Sequence, residues 1–173
     1  VGSTDTHTLY SRPSLRLRPA GPPDGRAAAE IYVVSSNAAF GDFRPPKELT
    51  KEGIARWEAD LARPGCHWWL ADVADRPVGL AGVGPSRDPV QAGVGELDTI
   101  AVVPDRWSQG IGKALMALAN EQLDRDGFER AVLWTWTNYL VAAAFYPKVG
   151  WHPTNGRRDQ GRQMCYERAQ APR

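Results

Sequence analysis

The chain has few of the residues that staple a fold or bind a metal. Two cysteines, Cys66 and Cys165, stand in 173 residues, far apart and outside any Cys-x-x-Cys spacing. That excludes a disulfide framework and fits free, packed thiols in a reducing compartment. Three histidines, His7, His67 and His152, share no ligand spacing, so no metal site is expected. No apolar run is long enough to cross a bilayer, and no leader pattern is visible. An excess of charge of one sign is also missing. The 21 Lys and Arg against 20 Asp and Glu leave a net charge of +1. This argues against a nucleic acid or a membrane surface as partner. The expectation is a soluble, cytoplasmic protein. No repeat, low-complexity stretch or linker divides it. A polar, aperiodic arm over 1–14 is expected to be flexible, and 15–173 to form a single domain with one real core.

What is present is more telling. Apolar residues make up 42% and charged residues 24%, ordinary for a globular chain. Seven tryptophans are many, and most belong in a core or a pocket wall. The chain is organised around Glu96 to Gly127. Glu96-Leu97-Asp98-Thr99-Ile100-Ala101-Val102-Val103 is rich in β-formers and bounded by Pro104, which predicts a strand. Asp105 to Gly112 is polar, with glycines at 110 and 112. Ile111, Leu115, Leu118 and Ala119 then recur at helical spacing, and Gly127 supplies a stop. Strand, glycine turn and helix in that order put free backbone N–H groups at a positive helix end, which suits phosphate. The alternative is a glycine pair that only permits a tight turn. Two phosphate motifs fail here. A dinucleotide fingerprint needs Gly or Ala where Leu115 stands. A P-loop needs Ser or Thr at Ala114 and a glycine at Trp107.

Elsewhere the periodicity predicts a strand at Leu15 to Arg18 and a loop at Pro22 to Gly25, with Asp24 capping the next helix. Helices follow over Arg26–Ala39 and Thr50–Leu61, broken by Gly41 to Pro46. His67–Val73 and Val78–Gly84 form an antiparallel hairpin. Glycines 79, 82 and 84 imply a bulge or a close backbone neighbour there. Pro85 to Gly95 is a loop. Glu129–Thr137 is a strand that pairs parallel with the Glu96 strand, because a helix joins them. Leu140 to Lys148 is a short helix. A basic loop lies between Asn155-Gly156 and Gly161, and Gln163–Arg168 is the last strand. The class is mixed-sheet α/β.

The run from Ile100 to Leu115 resembles the acyl-CoA site of the GCN5-related N-acetyltransferases: an apolar strand, a proline, then Gln/Arg-x-x-Gly-x-Gly/Ala opening a helix. Trp107 stands at the first motif position, and Ser108 replaces a frequent glycine. The backbone cradle uses N–H groups and tolerates both changes. Ala144-Phe145-Tyr146-Pro147-Lys148-Val149-Gly150-Trp151 resembles the same family's Phe-Tyr-x-Lys-x-Gly-Phe ending. The resemblance implies a central, mostly antiparallel sheet with a parallel pair splayed around acyl-CoA, and helices on both faces. It implies that the turn Trp107, Ser108, Gln109, Gly110, Ile111, Gly112 and Lys113 holds the pyrophosphate. It implies that the strand end Ile100, Ala101 and Val102, with Asn138, holds the pantetheine arm. Tyr146 would protonate the leaving thiolate. Phe40, Asp42 and Phe43, between the first two helices, would touch the acceptor or form an ordinary surface turn.

An ammonium must lose a proton before it can attack a thioester. Such chemistry needs a base, N–H donors for the developing oxyanion, and an acid for the thiolate. Glu96 and Asp98 lie two apart on one strand and share a face. Glu96 is the first choice of base and Asp98 the second, unless they only tie down neighbouring loops. The oxyanion donor would be a backbone N–H near Ile100. His67 reads as structural, and Arg157, Arg158 and Arg162 as a solvated loop or an anion contact. The expected activity is acetyl transfer from acetyl-CoA, with no metal, directly to a primary amine of a small molecule. Acetylation of a protein N-terminus or lysine, and CoA binding without catalysis, are the alternatives. A homodimer is left open.

Overall fold

The computed structural model describes residues 14–88 and 93–169. Apart from Ser14, the arm expected over 1–14 lies outside the described residues, as does part of the loop between Pro85 and Gly95. The elements are β1 (Leu15–Pro19), α1 (Gly25–Phe40), α2 (Lys51–Leu61), β2 (His67–Val73), β3 (Arg76–Pro85), β4 (Gly95–Val102), α3 (Ile111–Asp126), β5 (Arg130–Trp136), α4 (Leu140–Phe145), β6 (His152–Arg158) and β7 (Gln163–Ala169). The sheet has seven strands in the order β1-β2-β3-β4-β5-β7-β6. Among the described residues only β4 and β5 run parallel, as the α3 crossover between them requires. The mixed α/β architecture matches the expectation.

Alternation along the strands sorts the core onto two faces. Trp68, Leu70 and Leu80 pack under Ala28 and Ile31 of α1 and Leu61 of α2. On the other face, Ala71 and Ala81 meet Ile111 and Leu115, and Leu97 and Leu133 meet Met116, Ala119 and Leu123. Trp151 is the largest fully buried side chain. Its indole Nε1 donates to Asn120 Oδ1 at 3.0 Å, so its one polar atom is satisfied. Gly82 permits the other large contact. A Cβ there would lie 2.2 Å from the Trp68 ring. That close neighbour, and a bulge between Gly82 and Val83, account for the glycine-rich strand.

Two irregularities make room for a ligand. Opposite Gly82 and Val83, β4 contributes Thr99 and Leu97, so Asp98 is the extra residue of the bulge. Bulges re-aim side chains in this way, and Asp98 and Thr99 both line the cleft under α1 and α2. The second irregularity is a splay. β4 and β5 pair only at Gly95 with Ala131 and Glu96 with Val132. From Leu97 onward the β4 edge that faces β5 has no partner strand.

Some local expectations need correction. Asp24 does not cap α1 through its side chain. Its carboxylate turns back to the Gly21 N–H at 3.1 Å and the Arg18 guanidinium at 2.9 Å. The helix expected from Leu140 to Lys148 stops at Phe145 and continues as a 3-10 turn, Tyr146–Val149. Pro147, with no N–H to give and a ring that crowds the preceding turn, explains the change. The basic loop around Asn155-Gly156 is part of β6, and only Asp159 to Arg162 makes the turn into β7. Pairing with β7 and the Arg158 guanidinium 4.6 Å from the Trp134 ring centre hold that stretch extended.

Candidate functional site

The turn before α3 has the backbone geometry of an anion cradle. Ser108 and Gly110 have φ of +61° and +84°, which folds the chain back so that α3 starts with its amides outward. Gly110 is the N-cap and offers no side-chain bond. Ala114 N begins the helical ladder on Gly110 O at 3.0 Å. Among the described residues, the N–H groups from Gly110 to Lys113 have no protein acceptor. The Gly110 Cβ position has nothing within 4 Å, so the space above the cradle is open. Arg106 Nε is buried without a hydrogen-bond partner, with Asp105 Oδ2 3.9 Å away. A row of unpaired N–H groups at the start of a 16-residue helix fits a diphosphate.

The cradle leads onto the open edge of β4. Val103 N donates to Val78 O of β3 at 2.9 Å. The carbonyl of the same peptide, Val102 C=O, therefore points the other way, into the splay. Ile100, two residues earlier, presents its N–H and C=O on the same side. Ala101 lies between them and turns its main chain to β3. Of the three, Ile100 and Val102 therefore face the splay. The Trp107 indole Nε1 already donates to Val102 O at 2.6 Å, with the side chain 41% exposed. Trp107 thus folds over the end of the open edge. A Cβ on Gly112 would lie 3.9 Å from Phe145 and 4.0 Å from Val102. Cradle, β4 end and α4 therefore converge.

Tyr146 lies on the α3 side of the splay, packed against the cluster that holds Leu97 and Leu133. Its ring centre is 5.2 Å from Tyr166 and 5.5 Å from Phe145. Burial, with Tyr139 and Tyr166 near by, pushes its hydroxyl well above the ordinary phenol range. Burial also raises Tyr139. Asn138 lines a separate hollow of about 420 Å³ with Asp42, Phe43, Trp136 and Arg162. Phe43 stacks on Trp136 at 5.9 Å, and Phe40 meets Tyr139 edge-on at 4.9 Å. The loop after α1 is thereby tied to the end of β5. Arg162 reaches that hollow, whereas Arg157 spends one guanidinium nitrogen on the carbonyls of Thr154 and Gly156.

Glu96 alternates with Leu97 and so lies on the opposite face. It is 8% exposed. Its Oε2 accepts from Ser86 Oγ at 2.8 Å and from Arg87 N at 2.9 Å, and its Oε1 takes no bond from a described residue. Asp98 is ion-paired with Arg87 Nε, and Arg87 Nη2 reaches Asp60 Oδ1 at 3.0 Å. Burial works against the Arg87 charge, but Asp98 and Asp60 outweigh it and raise its pKa. Asp98, Thr99, Asp60 and Arg87 form the floor of a cleft of about 460 Å³, walled by Tyr32 and Trp57. Ser86, Arg87 and Asp60 were missed from sequence, since no motif marks them. His67 pairs with Asp126 across the α3 face at 3.4 Å, away from the cleft. Among the described residues no cluster could hold a metal, and no helix is long and apolar enough to cross a membrane.

Comparison with known proteins fits this geometry. Residues 32–151 match the acetyltransferase (GNAT) family. Mycothiol acetyltransferase of Arthrobacter sp. (strain FB24) is 26% identical over 124 residues, which are 70% of this chain and 38% of that protein. A Pseudarthrobacter chlorophenolicus protein of the same name is 27% identical, over 79% of this chain and 42% of its own. The chain thus spans about two fifths of the length of these curated relatives. Among solved structures, PaiA N-acetyltransferase from Thermoplasma acidophilum in complex with coenzyme A superimposes with a TM-score of 0.72. It is 17% identical, with 90% of this chain and 99% of that one covered. The ribosomal-protein-S18-alanine N-acetyltransferase from Escherichia coli gives 0.69 at 16% identity, covering 92% and 96%.

Proposed function

The chain belongs to the acetyltransferase (GNAT) family, and from that premise we propose that it moves an acetyl group from acetyl-CoA directly to the primary amine of a small molecule. The observation that carries this reading is the run of unpaired N–H groups from Gly110 to Lys113, leading onto the edge of β4 that has no partner strand. The first suits a pyrophosphate and the second an amide-bearing arm. Acetyl-CoA supplies both, together with the activated acyl group. The Ile100 N–H, on the open edge, is the donor for charge developing on the carbonyl oxygen. Val102 O, shared with the Trp107 indole, is the candidate partner of the arm, with Asn138 at the hollow beyond the end of β5.

The two flanks of the splay divide the proton work. Asp98 lines the cleft under α1 and α2, from which the amine approaches, and Glu96 lies on that face of the sheet. Glu96 Oε1 is the open carboxylate oxygen and receives the amine proton, directly or through water. Asp98 is held by Arg87 and serves to shape the acceptor cleft. Tyr146 stands on the other side, where the thiolate departs. An ordinary phenol is already protonated at neutral pH, and burial raises the Tyr146 hydroxyl further. An ordinary thiol titrates near ~8.5, below an unperturbed phenol at about 10. Full transfer from Tyr146 to a thiolate therefore runs uphill. Its contribution is a hydrogen bond to the thiolate as charge builds up, with the net proton supplied by the amine.

A cleft of about 460 Å³ is of small-ligand size, which supports a small-molecule acceptor; Asp42 and Phe43 border the neighbouring hollow, and Phe40 packs on Tyr139. The test is thiol release from acetyl-CoA against amino acids, polyamines, amino sugars and peptides. Amine-dependent release with a small acceptor is expected. Turnover with peptides alone moves the reading to protein acetylation. Tight acetyl-CoA binding with no release for any amine makes the chain a binding module.

A further inference from the structure

The loop between β3 and β4 holds both Glu96 and Asp98, and it does so through two consecutive residues. Ser86 N donates to Val94 O at 2.8 Å, which closes the loop neck. Ser86 Oγ then donates to Glu96 Oε2 at 2.8 Å and accepts from Asp88 N at 3.2 Å. The Arg87 N–H makes the second bond to the same Glu96 oxygen, at 2.9 Å. Its guanidinium goes the other way, to Asp98 and to Asp60. Two donors on Oε2 leave Oε1 as the unbonded oxygen, and they fix its direction. A carboxylate at the end of two flexible bonds needs such partners to hold one rotamer.

We infer that Ser86 is a positioning residue for acetyl transfer: its hydroxyl, with the Arg87 amide, aims Glu96 Oε1 at the acceptor amine. Asp98 cannot substitute, because Arg87 takes it up. This rests on the transferase reading with Glu96 as proton acceptor, and it adds a residue with no place in the sequence motifs. The role differs from a structural one in a measurable way. If Ser86 acts through Glu96, its loss matters only while Glu96 is a carboxylate. If Ser86 only stiffens the loop, its loss costs the same whatever stands at position 96.

The experiment is a double-mutant cycle on the full chain: wild type, Ser86→Ala, Glu96→Gln and the double variant. Steady-state thiol release is measured with the best acceptor of the panel. Ser86→Ala is expected to lower kcat about tenfold or more, the scale of a lost hydrogen bond to a charged group. KM for acetyl-CoA should stay within about twofold, because the cradle is untouched. Ser86→Thr, which keeps the hydroxyl, should restore most of the rate. In the Glu96→Gln background, Ser86→Ala should change kcat by less than about twofold. Effects that multiply in the double variant, or full activity in Ser86→Ala, overturn the inference while leaving the transferase reading intact. A wild type that binds acetyl-CoA but releases no thiol with any amine overturns both. Should Ser86→Ala fail to fold, Ser86→Cys preserves the packing, weakens the donor and completes the same cycle with the same expected outcomes.

Discussion

Replacing Gly110 tests whether the turn before α3 holds phosphate, and two substitutions separate the causes. At φ of +84° any L residue carries left-handed strain of about 1–2 kcal/mol. No clash adds to it, since the Cβ position has nothing within 4 Å. Gly110→Ala therefore reports strain alone, read as a small fall in Tm. Gly110→Glu adds one negative charge to the same strain. With that charge about 5 Å from a bound phosphate, repulsion is about 0.8 kcal/mol in bulk water and about 3 kcal/mol at an effective dielectric of about 20. The Kd for acetyl-CoA should then rise roughly 4- to 150-fold over Gly110→Ala. Titration calorimetry at low and at ~1 M salt checks the origin, because screening should shrink the gap between the two variants. Equal affinity of Gly110→Glu and Gly110→Ala at low salt would refute the cradle.

Three further outcomes follow from named contacts. Tyr146→Phe should lower kcat about 100-fold with little change in KM for acetyl-CoA; equal kcat values remove Tyr146 from the chemistry. Gly82→Ala drives a Cβ to 2.2 Å from the Trp68 ring and should cost about 1–3 kcal/mol, a fall in Tm of roughly 2–10 °C; an unchanged melt contradicts that packing. The Arg18 hydrogen bond outweighs burial at Asp24 and, with the Gly21 N–H, holds its carboxyl below the ordinary value of 3.8. A carboxyl depressed in the folded state stabilises above its unfolded pKa, and that stability is lost as pH falls through the folded pKa. Asp24→Asn should therefore lower stability at neutral pH and flatten its decline below pH 3.8, read as urea midpoints against pH. Midpoint curves that stay parallel for the two proteins exclude the linkage.

The local pattern determined the order of the elements other than β6, the strand-turn-helix around Gly110 and the parallel pairing of β4 with β5. Each of these depends on short-range facts: an alternating or helical period, a glycine free to take positive φ, and a crossover helix that permits only a parallel return. Pro147 was equally local, and reading its missing N–H would have ended α4 at Phe145. Tertiary structure alone decided the rest. The bulge at Asp98 comes from register with β3. The open β4 edge exists because β5 diverges after Glu96. Trp107 reaches back to Val102 only once the turn has closed. Arg87 joins Asp60 and Asp98 across separations of 27 and 11 residues, and Ser86 meets Glu96 across 10. Such contacts leave no periodic trace, because a single hydrogen bond between a loop and a strand constrains no neighbouring residue type. A sequence read locally shows where backbone amides gather, whereas packing determines which carboxylate is free to act beside them.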